Sequence, residues 1–225
     1  MKLKGKVWKA EKPVNRNTLY EIRSDQIVPF EERQQDGSRD TVAVDFHINE
    51  SQKGFYAEEY RPPFIDEDGC RKADILALVI DENRKCYRSF IYDVKADVGG
   101  EDVVFKLIEQ WCDSIQHKNS LTACLRGYEE MQETGVITRV YDEERIKTTI
   151  DNKKEYRDKL VNGPDTIAKT KVKQQLWKLD EELKKLTLFQ EGKFTFYSET
   201  YPYAVHILRM RAPGDYHYDL RCDLG

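Results

Sequence analysis

The chain has 225 residues, 35% of them charged, with a formal net charge of -4 and a mean hydropathy of -0.76. The length suits one elaborated domain or a core with appendages, and the acidic balance excludes a uniformly basic coat for indiscriminate nucleic-acid binding. No apolar run approaches the roughly 18 residues of a membrane span, and Met1 to Lys6 is basic without a following apolar segment, so neither a membrane helix nor a secretory signal is predicted and a cytoplasmic location is the default.

In chain order, strands are predicted at Gly5 to Ala10 and Thr41 to Ile48, the second after the turn-like Gln34-Gln35-Asp36-Gly37-Ser38. Between them, Pro29-Phe30-Glu31-Glu32-Arg33 is expected to open a helical turn. Phe55-Tyr56-Ala57-Glu58-Glu59-Tyr60 runs into Arg61-Pro62-Pro63, which would end any helix there. Ala73 to Ile80 is apolar except for Asp74, as a strand buried on both faces would be. Tyr87 to Lys95 is rich in aromatic and β-branched residues, and the polar stretch Asp81 to Lys85 separates the two runs, predicting a hairpin.

The hairpin register matters chemically. If Glu82 to Lys85 form a four-residue loop, Asp81 opposes Cys86 and Asp74 opposes Asp93, with side chains sharing a face about 5 Å apart. Lys95 lies two residues beyond Asp93, so its ammonium projects on that same face. Two facing carboxylates on an apolar sheet repel unless a cation or proton relieves them. Oxygen ligands suit Mg²⁺ or Mn²⁺, and a neighbouring lysine would serve an attacking water.

Beyond the hairpin, Val104, Leu107, Ile108, Trp111 and Ile115 recur at helical spacing from about Glu101 to His117, and Asn119 to Arg126 is expected to supply the next strand. From Arg145 to Lys193 the chain carries thirteen basic and eight acidic residues, enough for a phosphate-facing surface or a solvated helix face. Pro164 precedes a predicted helix from Asp165 to about Leu188, with one buried stripe packed on the core or a second subunit; Trp177 is assigned a packing role ahead of stacking on a base. Lys193 to Ser198 and Tyr203 to Met210 are expected to form a hairpin around Glu199 to Pro202, followed by a polar tail from Asp215 to Gly225 that orders only if docked. The five cysteines form no C-x-x-C pair, and most are expected to be buried thiols. His206 is expected to be structural, and His217, near Asp215, Asp219 and Cys222, to belong to the tail.

At Asp74 and Asp93-Val94-Lys95, over roughly residues 55 to 126, the chain resembles the PD-(D/E)xK nuclease superfamily, with Ala73 where the motif name has a proline. The resemblance implies an α/β fold with an α+β mixed sheet and a restriction-endonuclease-like core over residues 55–144, to which the residue patterns add an N-terminal β-rich extension over 1–54 and a C-terminal helix and hairpin over 145–225, packed on the core. It implies that Asp74, Asp93 and the Val94 carbonyl hold Mg²⁺ or Mn²⁺ while Lys95 serves the water. An additional glutamate on a preceding helix is expected, with Glu59 ranked ahead of Glu58, Glu31 and Glu32. The expected activity is hydrolysis of nucleic-acid phosphodiesters, DNA favoured over RNA, in restriction, repair or phage defence. A partner protein or ATPase subunit, or a homo-oligomer, is compatible with a chain lacking its own P-loop, zinc finger or helix-turn-helix. The alternative is a catalytically inactive module of the same fold that binds nucleic acid or assembles with a partner.

Overall fold

Asp81 ends one apolar run and closes the turn that follows it: its Oδ1 accepts from the amides of Asn83 and Arg84, each at 3.0 Å. Lys85 completes this tight turn at φ 49°. The structure, a computed structural model, describes residues 19–23, 26–33, 39–58, 60, 72–162, 169–212 and 215–221. Strands β1 (Tyr20–Ile22), β2 (Gln26–Arg33), β3 (Arg39–His47) and β4 (Lys53–Glu58) precede the hairpin of β5 (Ile75–Asp81) and β6 (Cys86–Val98). Helix α1 (Glu101–Thr122) leads to β7 (Glu129–Tyr141), then α2 (Glu143–Asn162) and α3 (Lys169–Gln190). The described chain ends in β8 (Lys193–Phe196), β9 (Glu199–Pro202), β10 (Ala204–Ile207), β11 (Arg209–Ala212) and β12 (Asp215–Arg221).

The fold is mixed α/β. Its main sheet has the order β1-β4-β5-β6-β7-β10. β1, β4, β5 and β6 pair antiparallel, whereas β7 pairs parallel with β6 after the α1 crossover, and β10 adds parallel to β7. A second sheet has the order β11-β12-β3-β2.

Alternation gives the buried strands two apolar faces. One face of the main sheet, with Leu76, Ile91 and Val136, packs against Leu107, Trp111 and Ile115 of α1 and Leu186 and Phe189 of α3. The opposite face, with Ile75, Ala77, Val79, Phe90, Tyr92 and Ile137, packs against Val28, Val42, Val44 and Phe46 of the second sheet. Helices, main sheet and second sheet therefore form three layers around two cores.

Several expected elements differ. Residues 119–126 are not a strand: α1 continues to Thr122, where the Thr122 hydroxyl donates to the Lys118 carbonyl, and turns follow. The strand after the helix is β7. Glu31 and Glu32 lie in β2, paired with Thr41 and Asp40, because β3 offers that segment a ladder in place of a helical turn. Glu199 to Pro202 is a strand rather than a turn; the chain reverses at Tyr197 and Ser198, both at positive φ, and β10 leaves that hairpin for the main sheet. The segment after Asp215 is docked as β12, parallel to β3.

The helix expected from Asp165 is present as α3, while residues 163–168 lie outside the described residues, as do the expected strand over 5–10 and the turn over 34–38. α2 had no expectation. It buries only Ile146 and Ile150, so its apolar signal is sparse. The α3 stripe packs on the core, but Trp177 is 69% exposed, correcting its assigned packing role; it projects from the part of the helix ahead of buried Leu179. Cys86 is buried, Cys112 half-buried and Cys124 exposed. No helix among the described residues is long and apolar enough to cross a membrane.

Candidate metal centre

Two anchors on α1 fix the approach to β5. The Gln110 amide donates to the Lys72 carbonyl at 2.8 Å, and the Ser114 hydroxyl accepts from the Ala73 amide at 2.7 Å. Gln110 and Ser114 are one turn apart and share a helix face, so the next residue, Asp74, is delivered to the start of β5 from a rigid support. The Asp74 carboxylate then continues the ladder in place of a backbone carbonyl: its Oδ2 accepts from the Val94 amide at 2.8 Å.

The register pairs Ile75 with Tyr92 and Asp81 with Cys86, the alignment that sets Asp74 against Asp93. The Lys95 ammonium joins them. Nζ lies 3.2 Å from Asp74 Oδ2, 3.1 Å from Asp93 Oδ1 and 3.2 Å from the Val94 carbonyl oxygen. Three oxygens, one from the entry to β5 and two from β6, thus converge on one point.

Burial is graded across the group. Asp93 is fully buried, whereas the side chains of Lys95 and Asp74 are 15% and 32% exposed, so the site opens on the Asp74 side. Burial pushes the Asp93 carboxyl up to about 7; the Lys95 ammonium opposes that rise and the Asp74 carboxylate adds to it. Lys106 of α1 also acts on Asp93 electrostatically, favouring the carboxylate. Burial alone would lower the Lys95 pKa, but the Asp93 and Asp74 carboxylates outweigh it and hold the ammonium protonated above its ordinary range.

A divalent cation fits these donors. All three are hard oxygens, the kind Mg²⁺ and Mn²⁺ take, and their shared lysine contact shows that they face a common centre. Asp93 Oδ2 is buried without a hydrogen-bond partner among the described residues, a costly state that a cation relieves. No group of three or more His, Cys, Asp or Glu side chains stands ready for a metal among the described residues. Among the described residues, the Val94 carbonyl is the third donor beside the two carboxylates.

Asp74, Asp93, Val94 and Lys95 are brought together. Glu59 lies outside the described residues, and Glu58 belongs to a strand, β4, instead of a helix, because its backbone pairs with Ile75 of β5. Gln110 and Ser114 join the site from α1 without a motif to mark them. Their signal was two polar residues spaced four apart within the apolar pattern of α1, both buried.

A second polar cluster occupies the opposite face of β6 and β7. The Glu133 carboxylate accepts from the Tyr92 hydroxyl and from Arg88 at 2.5 Å, and His206 Nε2 lies 3.7 Å away, consistent with a structural His206. At the other end of α1, the Lys118 ammonium donates to Glu130, which also accepts from the Ser89 hydroxyl at 3.0 Å. Along α2 and α3, Lys153 bridges Glu101 and Glu182, and Arg157 pairs with Asp180, so part of the basic segment is neutralised internally.

Compared with protein-family models, with curated proteins and with solved structures, the chain matches none.

Proposed function

We propose that this chain is a metal-dependent nuclease of the PD-(D/E)xK type, hydrolysing a nucleic-acid phosphodiester. The observation that carries the proposal is the convergence of Asp74 Oδ2, Asp93 Oδ1 and the Val94 carbonyl on the Lys95 ammonium. The order β5-β6-α1-β7 supports it, since Asp74 immediately precedes β5, Asp93 and Lys95 lie on the antiparallel β6, and a helix and a further strand follow. The orphaned oxygen of Asp93 supports it as well.

Asp74, Asp93 and the Val94 carbonyl would hold Mg²⁺ or Mn²⁺, which supplies Lewis-acid stabilisation of phosphoryl charge and a more acidic water. Lys95 orients that water and offsets negative charge developing on the phosphate. Gln110 and Ser114 keep Asp74 in place, and the opening beside Asp74 is the route for the phosphate. Glu59 is the proposed further acid. DNA is favoured over RNA by the resemblance, as is a role in restriction, repair or phage defence with a partner protein, an ATPase subunit or a second copy of the chain. Basic Lys171 and Lys173, together with exposed Trp177, give α3 groups suited to a nucleic-acid backbone and bases.

The competing proposal is an inactive module of the same fold that binds nucleic acid or assembles with a partner. The test is cleavage of DNA and RNA by the purified chain with Mn²⁺. Activity should be lost in Asp93→Ala and Lys95→Ala variants that remain folded; activity unaffected by either change would overturn the assignment.

A further inference from the structure

We propose that Lys95 is the resident counter-ion of the acidic pair and that a divalent cation binds only by displacing it, so that ammonium and metal compete for the same three oxygens. An ammonium has three N–H donors. Here three oxygens surround it, those of Asp74, Asp93 and Val94, between 3.1 and 3.2 Å away. Its hydrogen-bonding capacity is saturated by the oxygens that the metal would require.

The two cations cannot share that point. Mg²⁺ sits about 2.1 Å from its oxygens, so an ion bound to all three from the side that Nζ occupies would sit inside the 3.1 to 3.2 Å at which the ammonium stands, where two positive charges repel strongly. Charge balance decides the direction of exchange. With both acids ionised, one ammonium leaves the group with a net negative charge, whereas a divalent cation neutralises both acids and releases the lysine. Lys95 has a way out: it is 15% exposed, beside the more open Asp74, and Asp97, two residues farther along the same face of β6, is an exposed acid toward which the freed ammonium can turn. After exchange the ammonium stands beside the ion rather than in its place, the position from which it can serve a water.

This inference rests on the metal-binding assignment of the site. Mn²⁺ binding, measured by calorimetry on the whole chain, should be at least about tenfold tighter in Lys95→Met than in the unsubstituted protein, even though cleavage is lost; tenfold corresponds to about 1.4 kcal/mol. In case Lys95→Met folds only with metal, a second measurement uses the unsubstituted protein. The ¹⁵N-detected ammonium signal of Lys95, protected by its three acceptors, should disappear into fast solvent exchange as Mg²⁺ is titrated. Equal or weaker Mn²⁺ binding in Lys95→Met, or an ammonium signal that persists when Mg²⁺ is bound, overturns the exchange and leaves the metal site standing. No Mn²⁺ bound by either protein overturns both.

Discussion

Asp93 and Lys95 make opposite predictions for the protein without metal. In EDTA, Asp93→Asn should cost less than about 1 kcal/mol in urea denaturation, because an amide oxygen still accepts from the ammonium and Asp74 still balances its charge, whereas Lys95→Met should cost about 3 kcal/mol by removing the one cation that three buried or half-buried oxygens share. Equal losses would contradict the balance described for the site. Glu133 carries the pH dependence: the nearby His206 first, and then the Tyr92 hydroxyl and Arg88 against the effect of burial, hold its carboxyl down to about 2 from an ordinary 4.5. A carboxyl lowered in the folded state contributes fully above about pH 4.5, and that contribution is lost as pH falls through about 2. Acid titration of stability should therefore be shallower in Glu133→Gln than in the unsubstituted protein over that window. At this scale the motif residues were legible, because the Asp81 turn and two apolar runs define the hairpin register. Gln110 and Ser114 were not, since they act on Lys72 and Ala73 from 38 and 41 residues away, and local patterning carries no record of such a contact.

Among the elements, β7 shows why a strand can escape notice. Its first half, Glu129-Glu130-Met131-Gln132-Glu133, reads as solvated, yet Glu130 meets Lys118 and Ser89 while Glu133 meets Arg88 and Tyr92, so two of its three acids have specific partners. The turn at Tyr197 and Ser198 was hidden for a different reason: both adopt positive φ without the Asn-Gly signature that announces such hairpins. Gly135 holds β7 against its neighbours. A Cβ there would meet Tyr92 Cε1 at 2.6 Å and the Ala204 carbonyl oxygen at 2.7 Å, the latter on the backbone of β10. Gly135→Ala should lower stability by about 1–3 kcal/mol, seen as a reduced Tm. Two tryptophans separate core from surface: Trp111→Ala should cost about 3–5 kcal/mol, whereas Trp177→Ala, at an exposed position of α3, should stay within about 0.5 kcal/mol. A comparable loss at Trp177 would show that α3 is covered there.

On the scale of the whole molecule, the motif hairpin and the crossover were legible because they are local or follow one another directly, but the second sheet was not. β12 is an inner strand of that sheet, between β11 and β3, and its pairing with β3 joins residues 215–221 to residues 41–47. No composition signal in either segment names the other. Their separation makes time part of the architecture. The β5-β6 hairpin closes over four residues, a microsecond event for an isolated hairpin, while the β3-β12 ladder must wait for the chain to bring together segments near opposite ends of the sequence, with a larger loop-closure entropy. In pulse-labelled hydrogen exchange during refolding, amides of β5 and β6 should be protected before those of β3; simultaneous protection would mean that the two sheets assemble as one unit. During synthesis the same order is enforced more strictly: β3 is made early and waits for β12 to emerge, its edge open to pairing with other chains in the interval.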